Sequence, residues 1–218
     1  MKLLEAFLDF LYPEKCTFCH RILKKKEDSI CFRCSRVIPY TFDNEKQKLP
    51  FIMECYSPLY YENDVKDSLH RYKFGGLQFY SKVYAGLIFE NTSIKNLNYD
   101  FISYVPLSAG RLRDRGYDQA KLIAEDLAKL TGKKCIRTLD KIKNTKAQSR
   151  TGAFDARSKN ISGAYRICKN TDVKGKTILL IDDIITTGST LSEAASQLVA
   201  NGAVVYAATV ARARERKH

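Results

Sequence analysis

Two adjacent aspartates followed by a loop rich in hydroxyl side chains are the residues of this sequence best suited to chemistry. Asp182 and Asp183 come directly after the apolar run at residues 177–181, and the segment Thr-Thr-Gly-Ser-Thr follows at 186–190. We expect a buried strand to end in the two carboxylates and the loop to lead into a helix, whose unpaired N–H groups and dipole favour an anion. Carboxylates repel a phosphate, but they suit sugar hydroxyls or a Mg²⁺ ion that the sugar or a pyrophosphate also contacts. The pattern therefore predicts a site for a ribose that carries a phosphate.

An ordinary turn between a strand and a helix is the alternative interpretation of this loop. A lone Thr-Gly-Ser would fit such a turn, with a hydroxyl capping the helix. Two adjacent aspartates after an apolar strand do not fit it, so the ligand site is favoured. A Walker A loop is excluded because the sequence contains no GxxxxGK[ST]. The residues expected to contact the ligand are Asp182, Asp183, Thr186, Thr187, Gly188, Ser189 and Thr190, with Asp182 and Asp183 as the candidate Mg²⁺ ligands.

Two CxxC pairs separated by eleven residues form the second candidate site. Each pair places two thiolates on one tight turn, and two such turns complete a tetrahedral sulfur shell for Zn²⁺. A closed shell has no open position, which predicts a structural ion; the spacing favours zinc over an iron–sulfur cluster, redox pairs or unligated cysteines. Phe18 and Phe32 could stack on bases, but we favour packing in the small core of this module. The predicted zinc ligands are Cys16, Cys19, Cys31 and Cys34.

Basic residues accompany both candidate sites. The segment 106–116 follows the apolar run at 101–105, is predicted to be a strand-end loop and carries three arginines. Arginine forks there would bind the phosphate oxygens of a ligand, the phosphates of DNA, or solvent alone, and the residues leave all three open. The residues assigned to DNA contact are Arg113 and Arg115 in this loop and Lys24, Lys25 and Arg33 in the cysteine module.

The composition indicates a globular protein that attracts polyanions. The chain has 218 residues and a formal net charge of +13, which favours phosphate-rich ligands, nucleic acid or anionic lipid as partners. Seven cysteines, an odd number, without a secretory signal favour a reducing cytoplasm over a disulfide framework. No apolar run is long enough to predict a spanning helix. Apolar residues at helical spacing in the first eleven positions predict an amphipathic helix docked on the protein itself, with peripheral contact to the inner membrane or a partner as the alternative.

The chain is predicted to divide into three parts. Residues 1–40 hold the N-terminal helix and the cysteine module, residues 41–58 are expected to be a linker, and residues 59–218 alternate helices and strands. Such alternation predicts an α/β domain whose parallel sheet is flanked by helices. Predicted helices cover 64–72, 78–90, 117–130 and 191–199, and predicted strands cover 101–105, 135–139, 164–168, 177–181 and 204–210.

Four segments, in order along the chain, resemble the ComF (ComFC) family of competence proteins. They are Arg-Tyr-Lys-Phe-Gly-Gly at 71–76, Val-Pro-Leu-Ser at 105–108 followed by Arg-Leu-Arg-Asp-Arg-Gly-Tyr-Asp-Gln-Ala at 111–120, Gln-Ser at 148–149 followed by Arg-Ser-Lys-Asn-Ile-Ser-Gly-Ala-Tyr at 157–165, and the loop at 182–190. With the N-terminal cysteine module, the resemblance covers nearly the whole chain. Tyr117 and Tyr165 stand where the family pattern has Phe, and Asp118 stands where it has Asn; these departures are mild.

The resemblance implies a type I phosphoribosyltransferase fold with a small four-cysteine zinc module. It implies that the 182–190 loop binds phosphoribosyl pyrophosphate (PRPP), with Ser108 and Arg111 on the pyrophosphate and with residues 140–162 as a lid. It further implies a cytoplasmic protein of natural transformation that handles incoming single-stranded DNA. A DNA-translocating helicase and recombination mediators are the partners expected on this ground.

Catalysis is left open by these motifs. One hypothesis is a DNA-handling competence factor that binds PRPP or a related phosphoribosyl ligand. A second is a working phosphoribosyltransferase, although the sequence after Val210 holds no segment for the base-recognising hood that such enzymes often carry there. A third is an adaptor whose α/β domain is only a scaffold, which predicts no binding of PRPP.

Overall fold

The computed structural model of the protein describes residues 13–41, 47–143 and 163–214. The predicted N-terminal helix and most of the predicted lid, residues 144–162, lie outside the described residues. No helix in the three described ranges is long and apolar enough to cross a lipid bilayer.

Helices and strands alternate along the described chain from residue 47 onward. The strands are β1 (Gln47–Leu49), β2 (Ile52–Tyr56), β3 (Leu59–Tyr60), β4 (Phe101–Tyr104), β5 (Leu139–Lys141), β6 (Tyr165–Ile167), β7 (Thr177–Ile185) and β8 (Val204–Arg212). The helices are α1 (Phe32–Val37), α2 (Asn63–Phe74), α3 (Tyr80–Glu90), α4 (Ala109–Arg115), α5 (Gln119–Thr131) and α6 (Ser189–Ala200), with a 3₁₀ helix at Ser93–Asn96.

The main sheet has the strand order β1-β2-β8-β7-β4, with β3 also paired to β8. Strands β2, β3 and β7 run parallel to β8, and β4 runs parallel to β7, whereas β1 is antiparallel to β2. Strands β5 and β6 form a separate antiparallel pair. The predicted α/β fold, a mostly parallel sheet flanked by helices with a four-cysteine cluster near the N-terminus, is confirmed.

Strand β7 is buried on both faces, as expected for a central parallel strand. Leu179 and Ile181 pack in one core with helices α2, α3 and α5. Ile178 and Leu180 pack in the opposite core with helix α6. Burial of successive side chains against opposite layers explains why this run is continuously apolar.

The structure corrects the prediction of a linker at residues 41–58. This segment carries β1 and β2, and β2 pairs with β8, where Cys55 lies opposite Ala207. The buried residues Ile52, Cys55 and Tyr56 anchor it. The polar residues Gln47 and Lys48, which suggested a linker, belong to the edge strand β1, and β2 covers the side of β8.

Three other element predictions change. Strand β7 continues past the apolar run to Ile185 because its ladder with the nine-residue β8 extends that far, so both aspartates lie within the strand rather than after it. The strand predicted at 135–139 is divided: Cys135 forms an isolated parallel bridge with Ile102 of β4, and β5 begins only at Leu139, where it pairs with β6 outside the main sheet. The predicted strand-end loop at 106–116 contains helix α4, which buries no side chain and therefore shows no apolar period.

Candidate functional site

The carboxyl ends of the parallel strands meet at one edge of the main sheet, where open α/β sheets bind ligands. Strand β7 lies between β4 and β8, and its last residues include Asp182 and Asp183. Helix α6 begins four residues after β7, and helix α4 begins five residues after β4. Two loops that lead into helices therefore flank the two aspartates.

The two aspartates lie on opposite faces of the sheet. Asp183 faces helix α2, where the Lys73 ammonium lies 3.0 Å and 2.9 Å from its two carboxylate oxygens. Asp182 faces β5 and β6: burial and then the charge of Asp182 raise the pKa of Tyr165 on β6. The backbone N–H of Asp183 donates to Oδ1 of Asp182 over 2.8 Å, which favours the ionised form of Asp182.

Negative charge at Asp182 is unfavourable in the ligand-free protein. Burial, followed by the neighbouring charge of Asp183, raises the pKa of Asp182 to about 7. Burial and then the charge of Arg111 lower the pKa of the nearby Lys141 amine, which donates to the Tyr165 hydroxyl over 3.0 Å. A bound cation or a set of sugar hydroxyls beside Asp182 would offset the repulsion between the two carboxylates.

The hydroxyl-rich loop has the geometry of an anion site at a helix N-terminus. Gly188 occupies the N-cap position of α6 and adopts the left-handed backbone conformation, with a φ of 75°. Because glycine has no side chain, the N-cap residue itself donates or accepts no side-chain hydrogen bond there. The hydroxyls of Thr187 and Ser189 lie 2.8 Å apart, Thr186 is exposed and Thr190 is half-buried. The N-terminal backbone N–H groups of α6 are suited to receive a phosphate.

Gly188 is required by its surroundings as well as by its backbone. A Cβ atom built at this position would lie 2.4 Å from Cδ2 of Leu49. Leu49 ends β1, so the edge strand predicted to be a linker covers the loop.

The segment that follows β4 carries two further predicted ligand residues, Ser108 and Arg111. Buried Ser108 caps helix α4 by accepting the backbone N–H of Arg111 at 3.4 Å. Arg111 lies close enough to Lys141 and Tyr165 to shift the pKa of each, so it faces the same space as Asp182. The predicted ligand residues from β4 and β7 are thus brought together, although Ser108 also has a structural role.

Sequence reasoning missed Lys73, Asp118 and Tyr165 as site residues. Lys73 lies in the segment that carried the family resemblance, but nothing in the spacing alone places its ammonium against Asp183 from 110 positions away. Asp118 accepts the N–H of Leu107 at 2.9 Å and that of Lys121 at 3.2 Å, which ties the β4 loop to the start of α5. Its position just before an amphipathic helix is a detectable capping signal.

The four cysteines form a compact sulfur cluster. Their sulfur atoms all lie within 4.8 Å of one another, and Sγ of Cys19 is 3.7 Å from Sγ of Cys31. Four sulfurs about 2.3 Å from a tetrahedral ion are separated by about 3.8 Å, so the cluster fits Zn²⁺. The backbone N–H groups of Cys31 and Cys34 donate to Sγ of Cys16 and of Cys31, each over 3.4 Å.

Thiolate character is favoured at one of these cysteines. Burial disfavours a Cys31 thiolate, but hydrogen bonds from the Cys34 N–H and from Arg21 outweigh it and lower the pKa of Cys31 to about 6. Since metals bind the thiolate form, this environment prepares Cys31 as a ligand.

The cysteine module packs directly on helix α2. The Ser68 hydroxyl donates to the carbonyl of Thr17 over 2.6 Å, and Arg71 donates to the carbonyls of Thr17 and Phe18. Phe18 is fully buried, as predicted, whereas Phe32 is 56% exposed, so the prediction that it packs in the core is wrong. Phe32 begins the short helix α1, whose side chains other than Cys34 lie at the surface.

The residues assigned to DNA contact occupy two separate elements. Arg113 is exposed on α4, and Arg115 donates to the Gln119 side chain over 2.7 Å. Lys24, Lys25 and Arg33 are exposed on the cysteine module. None of the hydrogen bonds or ion pairs seen within the described ranges joins these two groups.

Comparison with known proteins agrees with this architecture. Residues 114–218 match the phosphoribosyl transferase domain family. The DNA utilization protein YhgH of Salmonella typhi is 35% identical over 107 residues, which are 48% of this chain and 45% of YhgH. YhgH of Escherichia coli strain K12 is 32% identical over 106 residues, with the same two shares. The match thus spans less than half of the length of these relatives.

A second set of relatives matches a larger share of the chain. The competence protein ComFC of Streptococcus pneumoniae is 32% identical over 144 residues, which are 66% of this chain and 60% of that protein. The competence protein ComFC of Bacillus subtilis is 30% identical over an alignment of 217 positions, which covers 89% of this chain and 82% of that protein. With a phosphoribosyltransferase-type sheet, paired aspartates at its edge and a four-cysteine cluster packed on helix α2, the chain belongs to the ComFC family.

Proposed function

We propose that this protein is a competence factor that handles incoming single-stranded DNA and binds PRPP or a related phosphoribosyl ligand. The assignment of this ligand rests on the edge of the sheet, where Asp182, Asp183 and the Gly188 turn lie at the N-terminus of α6. The loop suits the ribose phosphate, the aspartates suit ribose hydroxyls, and Arg111 suits the pyrophosphate. Mg²⁺ would be held by Asp182 together with the ligand, because Asp183 lies on the other face of the sheet and pairs with Lys73.

The proposed handling of DNA is supported by charge and by the relatives. The net charge of +13 favours a polyanionic partner, and exposed basic residues lie on both α4 and the cysteine module. The names of the relatives refer to competence and to DNA utilization. In this proposal the protein works in the cytoplasm, peripherally at the inner membrane, between a DNA-translocating helicase and recombination mediators.

Zinc has a structural role in the same proposal. Four cysteine ligands leave no open position for chemistry. The ion would fix the backbone around Thr17 and Phe18, whose carbonyls accept hydrogen bonds from α2.

Calorimetric titration of PRPP in the presence of Mg²⁺ tests the ligand site. We expect one PRPP to bind per chain and Asp182→Asn/Asp183→Asn to weaken binding at least about tenfold, because hydrogen bonds to two charged groups are weakened. Asp172→Asn is the matched control, since the exposed Asp172 caps a turn before the start of β7, whereas the two aspartates lie near the end of that strand. Equal affinity of the double variant, or no binding by the unmodified protein, contradicts the proposed site.

An active phosphoribosyltransferase is the second candidate function. It is supported by the surroundings of Asp182, where Lys141 and Arg111 add positive charge beside the proposed pyrophosphate position. Steady release of pyrophosphate after mixing PRPP with candidate nitrogen nucleophiles would establish turnover. Binding of PRPP without such release would leave a ligand-binding role.

A further inference from the structure

An exposed phenylalanine stands at the end of helix α2, beside the candidate ligand site. The Phe74 side chain is 63% exposed, which is unusual for so large an apolar group. The Arg115 guanidinium lies 5.0 Å from the centre of its ring, and the His70 ring lies 4.9 Å away at an angle of 48°. Helix α2 thus presents an exposed aromatic ring in contact with two nitrogen-rich planar groups.

This cluster is continuous with the site at the sheet edge. Lys73, the residue before Phe74, pairs with Asp183. Arg111 faces the space beside Asp182, and Arg115 follows it by four residues on the same side of α4. A row of two arginines therefore leads from the aspartates to the Phe74 ring.

The surroundings of Phe74 leave room for a flat ligand and carry positive charge. Gly75 and Gly76 follow it without side chains, and a Cβ atom at Gly76 would meet nothing within 4 Å. Arg113 is exposed on a different side of α4, two positions before Arg115, and has no carboxylate partner among the described side chains, although Asp114 lies exposed beside it. Phe79, which is 59% exposed, adds a second aromatic ring a few residues along the chain.

An exposed ring flanked by arginines fits a partner that is both planar and anionic. Bases of a single strand stack on aromatic side chains, and arginines bind the adjacent phosphates. Paired bases inside a duplex do not present their faces in this way. Single-stranded DNA is therefore the partner, as in the proposed function on which this inference rests.

We infer that Phe74, flanked by His70 and Arg115, is a base-stacking platform that holds single-stranded DNA directly beside the phosphoribosyl site. The DNA backbone then runs along Arg113 and Arg115, and the exposed Phe32 of the cysteine module is not the main stacking residue. A DNA strand so placed lies next to Lys73 and Asp183, so a ligand at the sheet edge and the DNA share one surface.

Anisotropy of a labelled thymidine oligonucleotide of about ten residues tests the platform with the full-length protein. We expect Phe74→Ala to weaken binding about tenfold, the loss typical for one stacked base, and Phe74→Tyr to keep most of it. Phe32→Ala is the matched variant on the cysteine module, and Phe51→Ala is a control at an exposed phenylalanine of the β1–β2 turn. Both should bind within about twofold of the unmodified protein.

An abasic oligonucleotide of the same length separates stacking from backbone contact. It should bind the unmodified protein and Phe74→Ala equally, because the ring has no base to contact. A Phe74→Ala protein that binds the thymidine oligonucleotide normally overturns the inference, and so does a large loss confined to Phe32→Ala. Failure of the unmodified protein to bind any single strand would remove the proposed DNA function together with the platform, whereas a PRPP titration of Phe74→Ala reports separately on the ligand site.

Discussion

The carboxyl of Asp182 is the side chain whose environment in the ligand-free protein conflicts most with its charge. It is half-buried beside Asp183, and Lys73 pairs with Asp183 on the opposite face of the sheet. Ionisable side chains in an environment that disfavours their charge are frequent at functional sites, because a bound ligand can offset the unfavourable electrostatic energy. This conflict gives the site a signature that can be measured without any ligand.

Stability should depend on pH through Asp182. Its pKa of about 7 in the folded protein exceeds the value near 3.9 of an unfolded chain, so folding becomes less favourable as pH rises between these values. Asp182→Asn removes the ionisation, and we expect it to raise the free energy of unfolding at neutral pH by about 1 kcal/mol or more. Urea unfolding in Mg²⁺-free buffer should show the gain disappearing near pH 4. A variant that is less stable than the unmodified protein at neutral pH contradicts the expected burial of this charge.

Gly188 is the second position at which the geometry of the candidate site depends on one residue. In Gly188→Ala a methyl group would meet Leu49 in a left-handed backbone conformation, and we expect a loss of about 1–3 kcal/mol of unfolding free energy. Leu49→Ala added to this variant should recover part of the loss, because it removes the clash but leaves the backbone strain. Urea unfolding of the two single variants and the double variant measures the coupling. Strict additivity would show that Leu49 does not cover the loop.

Helix α2 joins the two sites at the scale of elements. Ser68 and Arg71 hold the carbonyls of Thr17 and Phe18, Lys73 holds Asp183, and Phe74 is exposed at the end. Core packing reinforces this connection, because Phe18 and the cysteines share one hydrophobic core with Leu69 and Tyr72 of α2. The cysteine module is thus a support for the helix that reaches the candidate ligand site.

Loss of the metal should therefore lower the stability of the protein beyond the cysteine module. We expect one Zn²⁺ per chain by elemental analysis, and we expect Cys31→Ser to lose it and to lower the free energy of unfolding by about 2 kcal/mol or more. Cys168→Ser is the control, since Cys168 lies on the β6 side of the protein outside the sulfur cluster. Full zinc content in Cys31→Ser, or unchanged stability after its loss, would argue against a structural ion.

Elements with a clear period could be predicted from the sequence, and elements defined by their partners could not. The apolar run of β7, the amphipathic face of α5 and the CxxC pairs could all be recognised in the sequence. The extension of β7 to Ile185 depends on the length of β8, and the strand character of β2 depends on the open edge that it covers. The ion pair between Lys73 and Asp183 arises from tertiary packing, which no local pattern encodes.

Charge organises the molecule as a whole. A net charge of +13 is spread over exposed residues of both the cysteine module and the α/β domain, while the edge of the sheet concentrates two aspartates. A long polyanion and a small phosphate ligand can therefore be bound by different parts of one surface. Electrostatic binding of this kind weakens as salt displaces the protein from phosphate groups.

Salt dependence should distinguish the two basic groups. For single strands, each phosphate contact contributes about 0.7 to the slope of log affinity against log salt concentration. We expect Arg113→Ala/Arg115→Ala to reduce the slope by about one or more, and Lys24→Ala/Lys25→Ala to change it less. Anisotropy titrations at several salt concentrations measure both slopes. A larger change in the lysine variant would place the DNA on the cysteine module instead.

The most direct measurement of the central claim is the transformation frequency of cells whose chromosomal copy carries Asp182→Asn/Asp183→Asn, with Asp172→Asn cells as the control. Immunoblots should show equal amounts of protein, and the purified double variant should keep its zinc and its affinity for single-stranded DNA. We predict that the double variant loses transformation by about tenfold or more, because PRPP binding falls by that factor, while the control is unaffected. Normal transformation by the double variant, at normal protein levels and with PRPP binding abolished, would contradict a role of the phosphoribosyl site in handling DNA.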